Sequence, residues 1–385
     1  MWLLLGVLGC GSGAEPEPEP APTARTKSVP RAKTKAKAKD RGATPPAPFV
    51  VVKPAERDAR WASARCNDGT PFSMDVRDQG SDTWVVQLAG GFFCDDGVVP
   101  CSERKQKLTT TLPVSDGASR PLKVAGLFSR SDDVNPDFHG ANHVRMNYCS
   151  SDLWLGDDTE RTPTSGAPEG WFFAGRHNVH AGLEALVTLG LDDATDRVLL
   201  VGYSAGGAGV VGNLDHVIET LPAMTAAGRL KVLLDGSWIP TWDATGMPDA
   251  DRWGPVHRAC DAAVRARGED PVRCVFGPEW WPHVEATGVP VLVQISGLDA
   301  TQLPAFGIDT DAEQEAWRAN AAKTLEGLPW VFSLGRRYHV VSLSDEFHRI
   351  GPEKQQYRDL VHDFWTGGAP RRVVVGYDRP VPDGP

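Results

Sequence analysis

The sequence contains no apolar run near the roughly 20 residues that a membrane-spanning helix requires. It also lacks H-E-x-x-H and any C-x-x-C pair, so the common helical and ribbon zinc motifs are absent. We therefore expect no catalytic metal, and nothing in the chain calls for a cofactor. A basic excess is missing too: the formal net charge is −10, which argues against a catalytic body that grips nucleic acid. No lysine follows the glycines of Gly202-Tyr203-Ser204-Ala205-Gly206-Gly207-Ala208-Gly209, which excludes a Walker phosphate loop. What remains, 41% hydrophobic and 23% charged over 385 residues, is the composition of a globular chain.

The first ten residues, MWLLLGVLGC, form a short apolar core ending in Val7-Leu8-Gly9-Cys10. That ending resembles a bacterial lipobox, in which Cys10 would carry the lipid that attaches the chain to a membrane. Lys and Arg are absent ahead of the core, a departure from an export signal that leaves room for a start upstream. Residues 11–58 are rich in Pro, Ala and Lys and poor in bulky apolar side chains. Such a stretch buries too little surface to offset ordering, so a disordered tether is expected. Setting Cys10 aside, six cysteines remain: Cys66, Cys94, Cys101, Cys149, Cys260 and Cys274. An even number suits an oxidising compartment, but six cysteines allow 15 pairings and parity selects none of them. The expected location is a bacterial cell envelope, as a lipoprotein, or the exterior as a secreted protein.

From residue 59 to 385 the pattern is that of one α/β domain. Strand candidates are Trp84–Leu88, Val144–Cys149, Val198–Val201, Leu230–Leu234, Val289–Ile295 and Trp330–Leu334. Their continuous apolar runs suit a sheet covered on both faces. Helical spacing appears between them, at Val179–Leu189 with Asn178 as N-cap, and at Ala208–Leu221. Strands alternating with helices imply a doubly wound, mostly parallel sheet of α/β-hydrolase type. The Trp- and Pro-rich region from Trp238 to Pro282 reads as a cap insertion.

Gly202 to Gly206 fits G-x-S-x-G, with an apolar strand before it and an amphipathic helix after it. That is the setting of a nucleophile elbow, which lifts a serine hydroxyl above the sheet. Ser204 is the candidate nucleophile. A serine needs a positioned base, and in this scaffold the acid and then the histidine follow the serine along the chain. Asp299, after the strand Val289–Ile295, is the candidate acid, with Asp235 one strand earlier as its rival. His339, after Trp330–Leu334, is the candidate base; His348 and His362 fit surface roles. A further loop, Gly90-Gly91-Phe92 after the strand Trp84–Leu88, suits the close backbone approach an oxyanion site needs.

Several ordered blocks then resemble one family. CNDGT at Cys66, LAGGFFCDDGVVPC at Leu88, NYCSSDLWLGD at Asn147, GYSAGGAGVVGNLD at Gly202, LLDGSW at Leu233 and GLDATQL at Gly297 are similar to blocks of the pectinacetylesterase/Notum family of serine carboxylesterases. The resemblance implies Ser204 as nucleophile, Asp299 as acid and His339 as base, with backbone donors at Gly91, Phe92 and Ala205. It implies the disulfides Cys66–Cys149 and Cys94–Cys101, which leaves Cys260–Cys274. The chain departs from the family where Phe92 replaces a tryptophan and Ile239 replaces an aromatic, both beside the acyl pocket. The expected function is hydrolysis of a carboxylic ester through an acyl-serine, with a small acyl group such as acetyl on a carbohydrate as substrate. Trp154, Trp171, Trp280 and Trp281 are the candidate sugar platforms. Longer acyl esters, polyesters, a peptidase, and a tethered non-catalytic binding module are the competing readings.

Overall fold

The computed structural model describes residues 47–94, 101, 108–110, 125–157, 170–242, 257–351 and 356–376. The signal at 1–10 with Cys10, and the tether up to residue 46, lie outside these residues. Nine strands form one sheet: β1 Val50–Val52, β2 Met74–Arg77, β3 Thr83–Leu88, β4 Asn142–Met146, β5 Arg197–Tyr203, β6 Leu230–Asp235, β7 Val291–Ser296, β8 Val331–Leu334 and β9 Arg372–Val375. Their spatial order is β1-β2-β4-β3-β5-β6-β7-β8-β9. The pairs β1–β2 and β2–β4 are antiparallel, and every other pair is parallel.

The central strands read as apolar because both faces are covered. Along β5 the side chains alternate, with Val198 and Leu200 in one core layer and Leu199 and Val201 in the other. The first layer adds Val86, Val144, Val210 and Leu214, and the second adds Phe332, Leu360 and Phe364. Each fully buried Val or Leu contributes about 1.5–3 kcal/mol, so the register of β5 is strongly specified. A parallel sheet has a further consequence. The C-terminal ends of β3, β5, β6, β7 and β8 all open at one rim, where ligands bind in doubly wound folds.

The structure departs from the sequence reading at several points. Folding starts before residue 59: Val50–Val52 pairs with Met74–Val76, although Val50 and Val51 stay exposed. The helix expected at Val179 runs from Gly175 to Leu189, and its cap is not Asn178. Asp152, from another segment, accepts from Gly175 N at 2.7 Å, so a tertiary carboxylate starts the helix. Asn178 lies within it and donates to the Arg65 carbonyl at 2.9 Å. The stretch Ala208–Leu221 is two helices, Ala205–Gly212 and Leu214–Thr220, meeting at Asn213. In the cap region, residues 243–256 lie outside the described residues. The remainder forms helices Arg258–Ala266 and Gly277–Glu285, joined by the turn Pro271–Val275.

All three expected disulfides form, with Cα separations of 4.8 Å (Cys66–Cys149), 4.9 Å (Cys94–Cys101) and 5.9 Å (Cys260–Cys274). No helix among the described residues is long and apolar enough to cross a membrane.

Candidate active site

Ser204 sits where β5 turns into the helix Ala205–Gly212. Its backbone is at φ 53°, ψ −127°, a region that costs a non-glycine residue about 1–3 kcal/mol and persists only when its surroundings enforce it. The enforcement is visible. Ser204 N donates to the Asp235 carbonyl and Gly207 N donates to the Ser204 carbonyl, both at 2.9 Å. Gly206 passes so close to the end of β3 that a methyl group there would collide with the Leu88 carbonyl. The turn therefore needs glycine at that position for space, and the space is taken by the strand leading to the Gly90–Phe92 loop.

His339 and Asp299 meet across the rim. The His339 Nδ1 lies 2.9 Å from both Asp299 carboxylate oxygens. Asp299 is fully buried, and its Oδ1 accepts from the N–H groups of Thr301 at 2.8 Å and Gln302 at 2.9 Å. With Nδ1–H donated to the carboxylate, Nε2 is the nitrogen left to take a proton. Burial alone would push the imidazole down; the Asp299 hydrogen bond and charge, joined by the Asp235 charge, outweigh it and hold its pKa above the ordinary value. Ser204 and His339 line the same cavity. Asp235, the rival acid, is also fully buried, but its carboxylate bonds to Val341 N, Ser342 N and the Ser342 hydroxyl rather than to the imidazole.

The loop after β3 also lies at this rim. Phe92 has φ 58°, unusual for a non-glycine residue. Its carbonyl accepts from the Tyr148 hydroxyl at 2.7 Å, and that hydroxyl accepts from Leu153 N at 2.7 Å. Gly91 lies against the Tyr148 ring, so closely that a methyl group would overlap it. Phe92 and Ala205 line the cavity with Ser204. Ala205 opens a helix, and the first N–H groups of a helix have no partner within it, so they suit a developing negative charge.

The cavity is apolar, walled by Phe92, Phe93, Leu153, Val211, Ile239 and Phe306 among others. Its volume is about 110 Å³. A single water needs roughly 10–15 Å³, so the space exceeds what one methyl group fills. The proposed sugar platforms are not available as such: Trp154, Trp171 and Trp280 are buried, and Trp154 donates its indole N–H to the Ala89 carbonyl at 2.9 Å. Their rings complete the core, as amphipathic aromatics do when the N–H finds a partner. Trp281 is partly buried against the same core. His362 is exposed and pairs with Asp137 at 2.9 Å. Among the described residues, no group of three His, Cys, Asp or Glu side chains is arranged to hold a metal. Tyr148, Asp152 and Asp235 were not singled out for these roles from sequence, since each acts on residues distant along the chain.

The pectinacetylesterase family model matches residues 48–326. The palmitoleoyl-protein carboxylesterase notum2 of Xenopus laevis is 31% identical over 343 residues, covering 81% of this chain and 68% of that protein. The palmitoleoyl-protein carboxylesterase NOTUM of Drosophila melanogaster is 29% identical over 273 residues, or 66% of this chain. The match covers only 39% of the Drosophila protein's length. The crystal structure of the Drosophila Wnt deacylase Notum superposes with a TM-score of 0.71 at 24% identity, covering 85% of this chain and 96% of that one.

Proposed function

This chain belongs to the pectinacetylesterase family, and from that premise we propose that it is a serine carboxylesterase whose acyl pocket takes an apolar group larger than acetyl. The observation that carries the reading is the pairing of His339 Nδ1 with both oxygens of Asp299 at 2.9 Å, beside a serine that lines the same cavity. Ser204 Oγ attacks the ester carbonyl while His339 Nε2 takes its proton, and Asp299 stabilises the imidazolium. The carbonyl oxygen, now negative, is met by backbone N–H groups at Ala205 and the Gly91–Phe92 loop. The imidazolium gives its proton to the departing alcohol. Water then repeats the sequence, releasing the acid and restoring Ser204.

The apolar wall supports the pocket half of the reading. Ile239 stands in it where the family resemblance leads one to expect an aromatic, and a smaller side chain leaves room for a longer acyl group. Rates on p-nitrophenyl esters from acetyl to decanoyl test this. We expect kcat/KM to rise from acetyl toward medium chains, and Ile239→Trp to move the optimum back toward short ones. A steep fall beyond acetyl, unaffected by Ile239→Trp, would return the assignment to a deacetylase of small acyl esters such as those on carbohydrates. Export belongs to the same reading: three disulfides suit an oxidising compartment, with Cys10 as the residue that would carry a lipid.

A further inference from the structure

Asp235 ends β6, between the strands that lead to Ser204 and to Asp299. Its side chain is fully buried. Its oxygens gather donors from the segment just after His339: Val341 N at 3.0 Å, Ser342 N at 2.6 Å, and the Ser342 hydroxyl. Its main-chain carbonyl meanwhile accepts from Ser204 N at 2.9 Å. Gly236 follows at φ +65°, and a methyl group there would run into the His339 carbonyl, so the two chains meet backbone to backbone. One residue is thus bonded to the serine turn through its carbonyl and to the histidine loop through its carboxylate.

We infer that Asp235 is a positioning residue, a second carboxylate that fixes the His339 loop against the Ser204 turn and adds its charge to the field at the imidazole. The inference rests on the proposed roles of Ser204, Asp299 and His339. A plain loop staple would need only the hydrogen bonds; the charge is what separates the two roles. Burial pushes the Asp235 carboxyl up to about 6, although the donors on Ser342 and Val341 and the charge of His339 oppose the rise. Two backbone N–H groups and a hydroxyl converge on its oxygens, the donor set an ionised carboxylate accepts from. The titratable groups around it are His339 on the loop after β8, Asp299 through that histidine, and Tyr357, whose phenol is held well above its usual range by burial and by the Asp235 charge. Across β7, Gln294 accepts from Gly236 N at 3.2 Å and adds no charge.

The test compares Asp235→Asn with Ser342→Ala. The first removes the charge and turns an N–H₂ group toward backbone donors, while the second removes one hydroxyl and keeps both backbone bonds. Losing a nearby negative charge favours the neutral imidazole, so the His339 pKa must fall in Asp235→Asn. That shift is read directly by NMR titration of histidine-labelled protein, without any turnover. The acid limb of kcat/KM, which needs neutral His339, must move to lower pH with it. A displaced imidazole should also cost up to roughly 10²-fold in kcat at little change in KM. Ser342→Ala should lower kcat by less. If Asp235→Asn folds and its His339 titrates as in the parent, the positioning role is overturned. Should Asp235→Asn fail to fold, Ser342→Ala decides: the lost hydroxyl lets the Asp235 carboxyl rise further and hold its proton to higher pH, so a kcat and a His339 titration both unchanged in that variant overturn the role equally. Because the NMR titration needs no activity, an inactive parent protein would defeat the esterase reading while leaving the positioning measurable on its own.

Discussion

At Ser204 the chain is held by its own backbone, whereas at His339 it is held by carboxylates reaching over from other strands. The serine turn depends on a positive φ, glycines with no room for a side chain, and main-chain hydrogen bonds to Asp235 and Gly207. The histidine loop has no such constraint written into its own residues. Asp299 holds the ring and Asp235 holds the residues after it. The difference separates two ways of damaging the site. Changes at the serine turn should strain the fold, and changes at the carboxylates should leave the fold and stop the chemistry.

The largest effect expected is on the carboxylate side. Asp299→Asn keeps an oxygen for the Thr301 and Gln302 N–H groups, so thermal unfolding should be close to that of the parent. Its amide nitrogen cannot accept from Nδ1–H, so the imidazole adopts the wrong tautomer, and kcat should fall by roughly 10⁴-fold. Steady-state hydrolysis beside a melting curve checks both parts. A folded Asp299→Asn protein with near-parent kcat would remove Asp299 from the mechanism.

On the serine side the expected effect is smaller and of another kind. Gly206→Ala forces a methyl group against the Leu88 carbonyl, and overpacking of that sort costs about 1–3 kcal/mol of stability. Denaturant unfolding measures it. Stability equal to the parent would mean that the turn has slack, and the contrast between the two halves would then be weaker than drawn here.

The same contrast explains what was readable from the sequence. The serine turn is local: five consecutive residues carry it, with an apolar strand on one side and a helix on the other. The six strands that were anticipated are the parallel ones with continuous apolar runs, together with β4. Those not anticipated are β1 and β9, the two edge strands, and β2, which lies between β1 and β4. Met74–Arg77 is short and half polar, and Val50–Val52 lies in a Pro- and Lys-rich stretch that reads as tether. Asp299 and His339 are candidates only through strand order and family resemblance, since the bond between them spans 40 residues. Asp235 was weighed only as a rival acid, because its partners lie 106 and 107 residues further along the chain and no local pattern announces them. Likewise the helix at Gly175 begins early because Asp152 caps it from 23 residues away. The tryptophans read as sugar platforms because nothing local in the sequence states whether an indole faces solvent or the core, and Trp154, Trp171 and Trp280 face the core.

The central claim is that His339, held by Asp299, activates Ser204 at the shared rim of the sheet. The rate at which a fluorophosphonate modifies the protein, followed against pH with the adduct located by mass spectrometry, tests it most directly. The account predicts one adduct, on Ser204, forming at a rate that climbs with pH through a single ionisation above about 6.5, the ordinary histidine value. An adduct elsewhere, or a Ser204 that reacts no faster as the imidazole loses its proton, would contradict it.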